Sequence, residues 1–153
     1  MRKNEILAMS RIYVNKSDQL YKNLKHVQEI DGYEDFGIHG TSEFVEYETT
    51  GGKFTSYTAK EYAEILRSDP EYHNGNIRLL SCNVGATENG FAQQLADELG
   101  VEVLAPTETL WTNEKGDCFI SNSDVLADLW YAKENVQPTG EWKRFIPRRK
   151  KND

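Results

Sequence analysis

The sequence predicts a single α/β domain, a three-layer sandwich with a mainly parallel sheet and small β-hairpins. The chain has 153 residues, which is the size of one ordinary domain. Compact apolar runs alternate with segments whose apolar residues recur every three or four positions, as strands separated by helices do. Helices between the strands at Ile38, Leu79 and Val103 imply right-handed crossovers and therefore parallel pairing.

The first predicted elements are a helix, a strand and a hairpin. Ser17 is the expected N-cap of the helix, and residues 31–32 (Asp-Gly) end it. Its apolar residues repeat at helical spacing: Leu20, Leu24, Val27 and Ile30. Residues 33–39 follow as a strand, and residues 43–57 form a hairpin whose turn is Thr-Thr-Gly-Gly.

The second half continues the alternation. Thr58 is the expected N-cap of a helix, with Glu61 three positions on as the partner in a capping box. Gly100 closes a later helix that begins at Phe91. The remaining elements are a buried strand, that helix, a strand, a hairpin and a short helix, over residues 77–82, 91–99, 101–105, 111–120 and 124–132.

Composition and charge exclude several classes of protein. The net charge is −7, and because residues 141–153 carry a local balance of +4, the rest carries −11. An acidic body repels phosphate, so we expect no nucleic-acid partner. There is no apolar run long enough to span a membrane and no secretory signal peptide at the start. We expect one domain over residues 1–153, with frayed residues 1–16 and a disordered basic tail over residues 148–153.

Two cysteines and three histidines are the candidates for chemistry. Two cysteines cannot form a disulfide framework, and their spacing does not suggest a metal site, so we expect no metal and no cofactor. His26 lies in a predicted amphipathic helix and His73 in a polar loop, and we expect both to be solvated. Cys118 lies in a predicted hairpin and is interpreted as a packing cysteine.

His39 and Cys82 differ from these because each ends an apolar run at the predicted carboxyl edge of the sheet, where ligands collect in α/β folds. We predict a catalytic dyad in which Cys82 is the nucleophile and His39 the general acid and base. The backbone N–H groups of Gly40 and Cys82 would form an oxyanion hole. Glu43 and Glu108 are candidates to orient His39. The competing interpretation is a packed cysteine and a solvated histidine.

The motifs around this pair resemble a known family. F-G-I-H-G at residues 36–40 and I-R-L-L-S-C-N-V-G at residues 77–85 resemble the His-Gly and Ser-Cys strand ends of caspase-like cysteine peptidases. That clan includes caspases, gingipains, clostripain and the self-cleaving domains of large bacterial toxins. Residues 90–107 and 140–147 are similar to domains at the carboxyl ends of bacterial polymorphic toxins. The resemblance covers residues 33–147.

The resemblance implies a caspase-like peptidase that acts as a bacterial toxin or effector domain on a protein or peptide substrate. It also implies a cognate inhibitor or immunity protein as a partner, and a location in the cytoplasm or, after delivery, in a target cell. Two alternatives remain open. One is a catalytically inactive domain of the same fold that binds a protein partner, with late aromatic residues at its interface: Trp111, Trp130, Tyr131 and Trp142. The other is nucleotide or sugar hydrolysis, which is the less favoured because the sequence shows neither a phosphate-binding glycine loop nor a conspicuous carboxylate pair.

Overall fold

The structure is a computed structural model that describes residues 11–49, 53–122 and 138–148. Its helices are α1 (Gln19–Leu24), α2 (Ala59–Ser68) and α3 (Phe91–Leu99). Its strands are β1 (Ile12–Tyr13), β2 (Glu34–Gly40), β3 (Val45–Thr49), β4 (Lys53–Tyr57), β5 (Ile77–Leu80), β6 (Val103–Pro106), β7 (Thr109–Thr112), β8 (Cys118–Ser121) and β9 (Trp142–Phe145). The helix predicted at residues 124–132 lies outside the described residues, as do residues 1–10, most of the 49–52 turn and residues 149–153 of the predicted tail.

The strands form an α/β fold with a mixed sheet. Among the described residues, seven strands pair in the order β4-β3-β2-β5-β6-β9, with β1 beside β2, and β7 and β8 form a separate pair. The pairs β1–β2, β2–β5 and β5–β6 are parallel, whereas β2–β3, β3–β4 and β6–β9 are antiparallel. The prediction of a mainly parallel sheet is therefore wrong. The segment between Gly40 and Val45 is too short for a crossover, so β3 must return antiparallel to β2.

The two faces of the sheet pack against different elements. Successive strand residues point to opposite faces, so Leu79 and Leu80 of β5 lie in separate apolar clusters. The helix face, which includes Phe36 and Ile38, packs against α2 and α3. The opposite face, here called the hairpin face, packs against α1 and the β7–β8 pair. His39 alternates with Ile38 and therefore lies on the hairpin face.

Local signals predict the two longer helices well. Thr58 accepts from the Glu61 amide, and the Glu61 side chain accepts from the Thr58 amide, so the predicted capping box is confirmed. The residue Gly100 ends α3 with a left-handed φ of 68°, also as predicted. The hairpin predicted at residues 111–120 is confirmed as β7 and β8.

The first helix differs from its prediction. It ends at Leu24, before the expected apolar positions Val27 and Ile30. Its N-cap is Asp18, whose Oδ1 accepts from the Leu20 amide at 2.9 Å. Ser17 instead donates its hydroxyl to the Asn15 side chain. Asp18 therefore places its carboxylate at the start of α1, above the hairpin face.

Candidate functional site

The carboxyl ends of β2 and β5 bring His39 and Cys82 to the same edge and face of the sheet. Gly37 pairs with Leu80 in the parallel ladder, and extending this register by two residues places His39 beside Cys82. The Ser81 hydroxyl donates to the Ile38 carbonyl, so the two chains remain adjacent beyond the last ladder pair. Cys82 packs in the hairpin-face cluster, the side on which His39 also lies. The sequence prediction that both residues lie at this edge agrees with this arrangement.

The imidazole of His39 is held by a carboxylate. Its Nε2 lies 2.8 Å from Oδ2 of Asp18, and each side chain is about one-third exposed. Because the other oxygen of Asp18 caps α1, one carboxylate fixes both the helix start and the ring. Neither carboxylate that the sequence offered for this role holds the ring. Glu43 is exposed, and Glu108 accepts from the Thr139 hydroxyl.

Asp18 was missed because the sequence carries no local signal for the contact. Two adjacent residues, Ser17 and Asp18, can each cap a helix, and the choice between them decides which one faces His39. The pair is 21 positions apart in sequence. The one sequence feature that could have indicated Asp18 is that it combines good N-cap propensity with a negative charge that can bind a histidine.

The thiol of Cys82 is only partly accessible. Its Sγ donates to the Leu110 carbonyl of β7 at 3.8 Å, and apolar residues of the hairpin face surround it. Burial raises the pKa of the Cys82 thiol, which keeps it protonated at neutral pH. Within the described part of the chain, the thiol and the imidazole of His39 thus have separate hydrogen-bond partners. The two side chains therefore lie at the same edge of the sheet, but the described contacts include no hydrogen bond between them.

Gly40 allows the strand ends to approach closely. A Cβ at this position would lie 2.7 Å from Cγ1 of Val84 and 3.0 Å from the Cys82 carbonyl oxygen. A side chain does not fit there, so glycine is required for the packing of β2 against the segment that follows β5. The oxyanion role of the Gly40 and Cys82 N–H groups remains a prediction.

The remaining candidates lie away from this site. His26 and His73 are exposed, as expected. Cys118 packs in the hairpin-face cluster, and burial raises its pKa to about 11, which fits a packing role. The described ranges contain no group of three or more His, Cys, Asp or Glu side chains arranged to hold a metal ion. None of the helices in these ranges is long and apolar enough to cross a membrane.

Comparison with protein families identifies the family of this domain. A family model described as a domain of unknown function (DUF8616) matches residues 9–120. No curated protein and no solved structure matches the chain. The matched segment contains Asp18, His39, Gly40 and Cys82, so the whole candidate site lies inside the family's domain. Because the match covers well over half of the chain, this protein belongs to the DUF8616 family.

Proposed function

We propose that this domain is a cysteine-nucleophile hydrolase, a caspase-like peptidase in which Cys82 attacks a peptide carbonyl and His39 transfers the proton. The observation that carries the proposal is the position of these two residues on one face, at the ends of neighbouring parallel strands. The contact between Asp18 and His39 adds support, because a histidine that works as a base needs a fixed orientation.

The reaction has two halves. The Cys82 proton passes to Nδ1 of His39, because Asp18 accepts from Nε2 and leaves Nδ1 as the basic nitrogen. The thiolate then attacks the carbonyl carbon, and backbone N–H groups at Gly40 and Cys82 stabilise the oxyanion. The leaving amine takes the proton from His39, and water, deprotonated by His39, hydrolyses the thioester and restores the thiol.

The biological setting proposed for this chemistry is a bacterial toxin or effector domain with a caspase-like fold. The parallel core β2-β5-β6, with helices α2 and α3 on one face, is compatible with a caspase-like layered sandwich. A protein or peptide is the proposed substrate, and an inhibitor or immunity protein is the proposed partner.

A second candidate function is a non-catalytic domain that binds a protein partner. The protonated thiol favours it, because a cysteine that donates to Leu110 beneath β7 behaves as a packing residue. Of the aromatic residues proposed for such an interface, Trp111 and Trp142 are half-buried, and Trp130 and Tyr131 lie outside the described residues.

The rate of Cys82 alkylation by iodoacetamide separates the two functions. The assay uses a Cys118→Ser background and follows the modified chain by mass spectrometry between pH 5 and 9. A dyad gives alkylation near neutral pH that His39→Ala slows at least tenfold, while the exposed-histidine control His73→Ala leaves the rate unchanged. Alkylation that rises only above pH 8 and ignores His39 would contradict the hydrolase and favour the binding domain.

A further inference from the structure

The hairpin face continues beyond His39 onto the β3–β4 hairpin. His39 pairs with Glu46 of β3, and Glu46 pairs with Ser56 of β4. Phe54 lies two positions before Ser56 on the same face. Val45, which alternates with Glu46, is buried in the core on the helix face. The side chains of Glu46 and Phe54 therefore extend outward on the side of the sheet that carries His39.

Phe54 is an apolar side chain without cover from the described residues. It is 55% exposed, although it belongs to a strand whose neighbours pack a core. Its ring centroid lies 6.5 Å from that of the His39 imidazole, at an interplanar angle of 71°. This edge-to-face contact leaves much of the ring available next to the candidate catalytic histidine.

Glu46 is a carboxylate diagonally across from that ring, because it pairs with Ser56, two positions after Phe54. Within the described ranges it makes no hydrogen bond or ion pair, and it is half-buried between β2 and β4. Asp18, in contrast, is already bound to His39 and to the start of α1. An aromatic ring next to an available carboxylate suits a long cationic side chain, whose stem covers the ring while its charged end meets the carboxylate.

We propose that Phe54 and Glu46 form a subsite for a lysine or arginine side chain of the peptide substrate, an inference that rests on the proposed function. Neighbouring strands lie about 4.8 Å apart, so the subsite is roughly 11 Å from Cys82, counting the ring separation from His39. An extended peptide covers that distance in about three residues. The cationic residue therefore lies about three positions from the cleaved bond, and the negative charge of the chain attracts such peptides.

Binding of matched peptides to the 153-residue Cys82→Ala chain tests the subsite without chemistry. The probes are Ac-Ala-Ala-Lys-Ala-Ala-NH₂ and the same peptide with norleucine or glutamate in place of lysine, followed by amide shifts in NMR titrations. We expect the lysine peptide to bind at least fivefold more tightly than the other two, with the largest shifts at residues 45–57. Phe54→Ala and Glu46→Gln should each weaken its binding about two- to fivefold. Thr55→Ala, an exposed change on the other face of β4, should leave binding unchanged.

The outcomes distinguish this inference from the proposed hydrolase. A lysine preference together with His39-dependent alkylation of Cys82 supports the subsite as part of an active site. A lysine preference without that alkylation overturns its role in substrate binding and leaves a surface for cationic peptides. Equal or undetectable binding of the three peptides, or an unchanged preference in Phe54→Ala and Glu46→Gln, overturns the subsite even if Cys82 is reactive.

Discussion

Asp18 uses its two oxygens for two different purposes, and a pair of substitutions separates them. Oδ1 caps α1 through the Leu20 amide, and Oδ2 binds Nε2 of His39. Asp18→Asn keeps a side chain that caps helices as well as aspartate does but removes the charge. Asp18→Ala removes both the cap and the contact with His39. The difference between the two variants therefore measures the cap, and the loss in Asp18→Asn measures the charge.

The expected losses follow from the two contacts. An N-cap contributes about 1 kcal/mol to the free energy of unfolding. The contact between Asp18 and His39 joins side chains that are each about one-third exposed, so solvent screens it and it contributes about 0.5 kcal/mol. Asp18→Ala should therefore lose about 1.5 kcal/mol and Asp18→Asn about 0.5 kcal/mol. For a chain of this length these losses lower Tm by about 3–6 °C and 1–2 °C, respectively.

Thermal unfolding by circular dichroism measures both losses, and the nitrogen shifts of the His39 ring report which nitrogen carries the proton. We expect the neutral ring to carry its proton on Nε2 in the native chain and on Nδ1 in Asp18→Asn, because the single oxygen of asparagine caps α1 and its NH2 group then faces the ring. In Asp18→Ala the two ring forms should become mixed. Asp31→Asn and Asp31→Ala are matched controls at an exposed position and should change stability by less than about 0.5 kcal/mol. Equal losses in the two Asp18 variants would refute the capping argument, and an unchanged ring proton in Asp18→Ala would refute the orienting contact.

Three further predictions test the surroundings of the site. Gly40→Ala should lower the free energy of unfolding by about 1–3 kcal/mol, because the added Cβ would lie 3.0 Å from the Cys82 carbonyl oxygen. Urea titrations measure this loss, and an unchanged midpoint of unfolding would show that the strand ends can separate. Arg78→Met should lower the free energy of unfolding by about 3–5 kcal/mol, because it leaves the largely buried Asp35 unpaired. Adding Asp35→Asn should recover part of this loss, and a double variant less stable than Arg78→Met alone would contradict the reasoning. Burial raises the pKa of Cys118 to about 11, so in a Cys82→Ser chain its reaction with iodoacetamide should become about tenfold faster for each pH unit between 8 and 10. A rate that reaches a plateau below pH 9 would contradict the burial of this thiol.

Local chemistry explains which parts of the fold could be predicted from the sequence. The capping box at Thr58 depends on two residues three positions apart, so its signal is complete within one turn. The placement of His39 and Cys82 depends on strand ends, which apolar runs mark clearly. The N-cap of α1 could not be predicted from a local signal of this kind. Ser17 and Asp18 are both good N-cap residues, and the contact of Asp18 with His39, 21 positions away, leaves no local pattern that would favour one of them.

The pairing of the sheet shows the same limit on a larger scale. Helices between strands predict parallel neighbours, and β2, β5 and β6 follow that rule. The outer strands depend on loop length and on late segments of the chain, so β3, β4 and β9 add antiparallel pairs. The hairpin predicted at residues 43–57 is confirmed as β3 and β4, but its antiparallel pairing with β2 was not predicted. That pairing places Glu46 and Phe54 on the same face as His39 and so extends the candidate site.

The raised pKa of Cys82 and the fixed ring of His39 fit one reaction if the thiol changes partner. A carbonyl accepts only from a neutral S–H group, so the bond to Leu110 describes a resting thiol. The proposed reaction requires rotation about the Cα–Cβ bond of Cys82 to turn the sulfur from β7 toward β2, while close packing at Gly40 holds the backbone in place. Each pKa unit above neutral costs about 1.4 kcal/mol of thiolate formation, and a base at hydrogen-bond distance offsets part of that cost by accepting the proton and pairing with the thiolate. In the proposed hydrolase, His39 is the base on the adjacent strand, so transfer of the proton requires the rotated thiol, and a Cys82 locked onto Leu110 is inert.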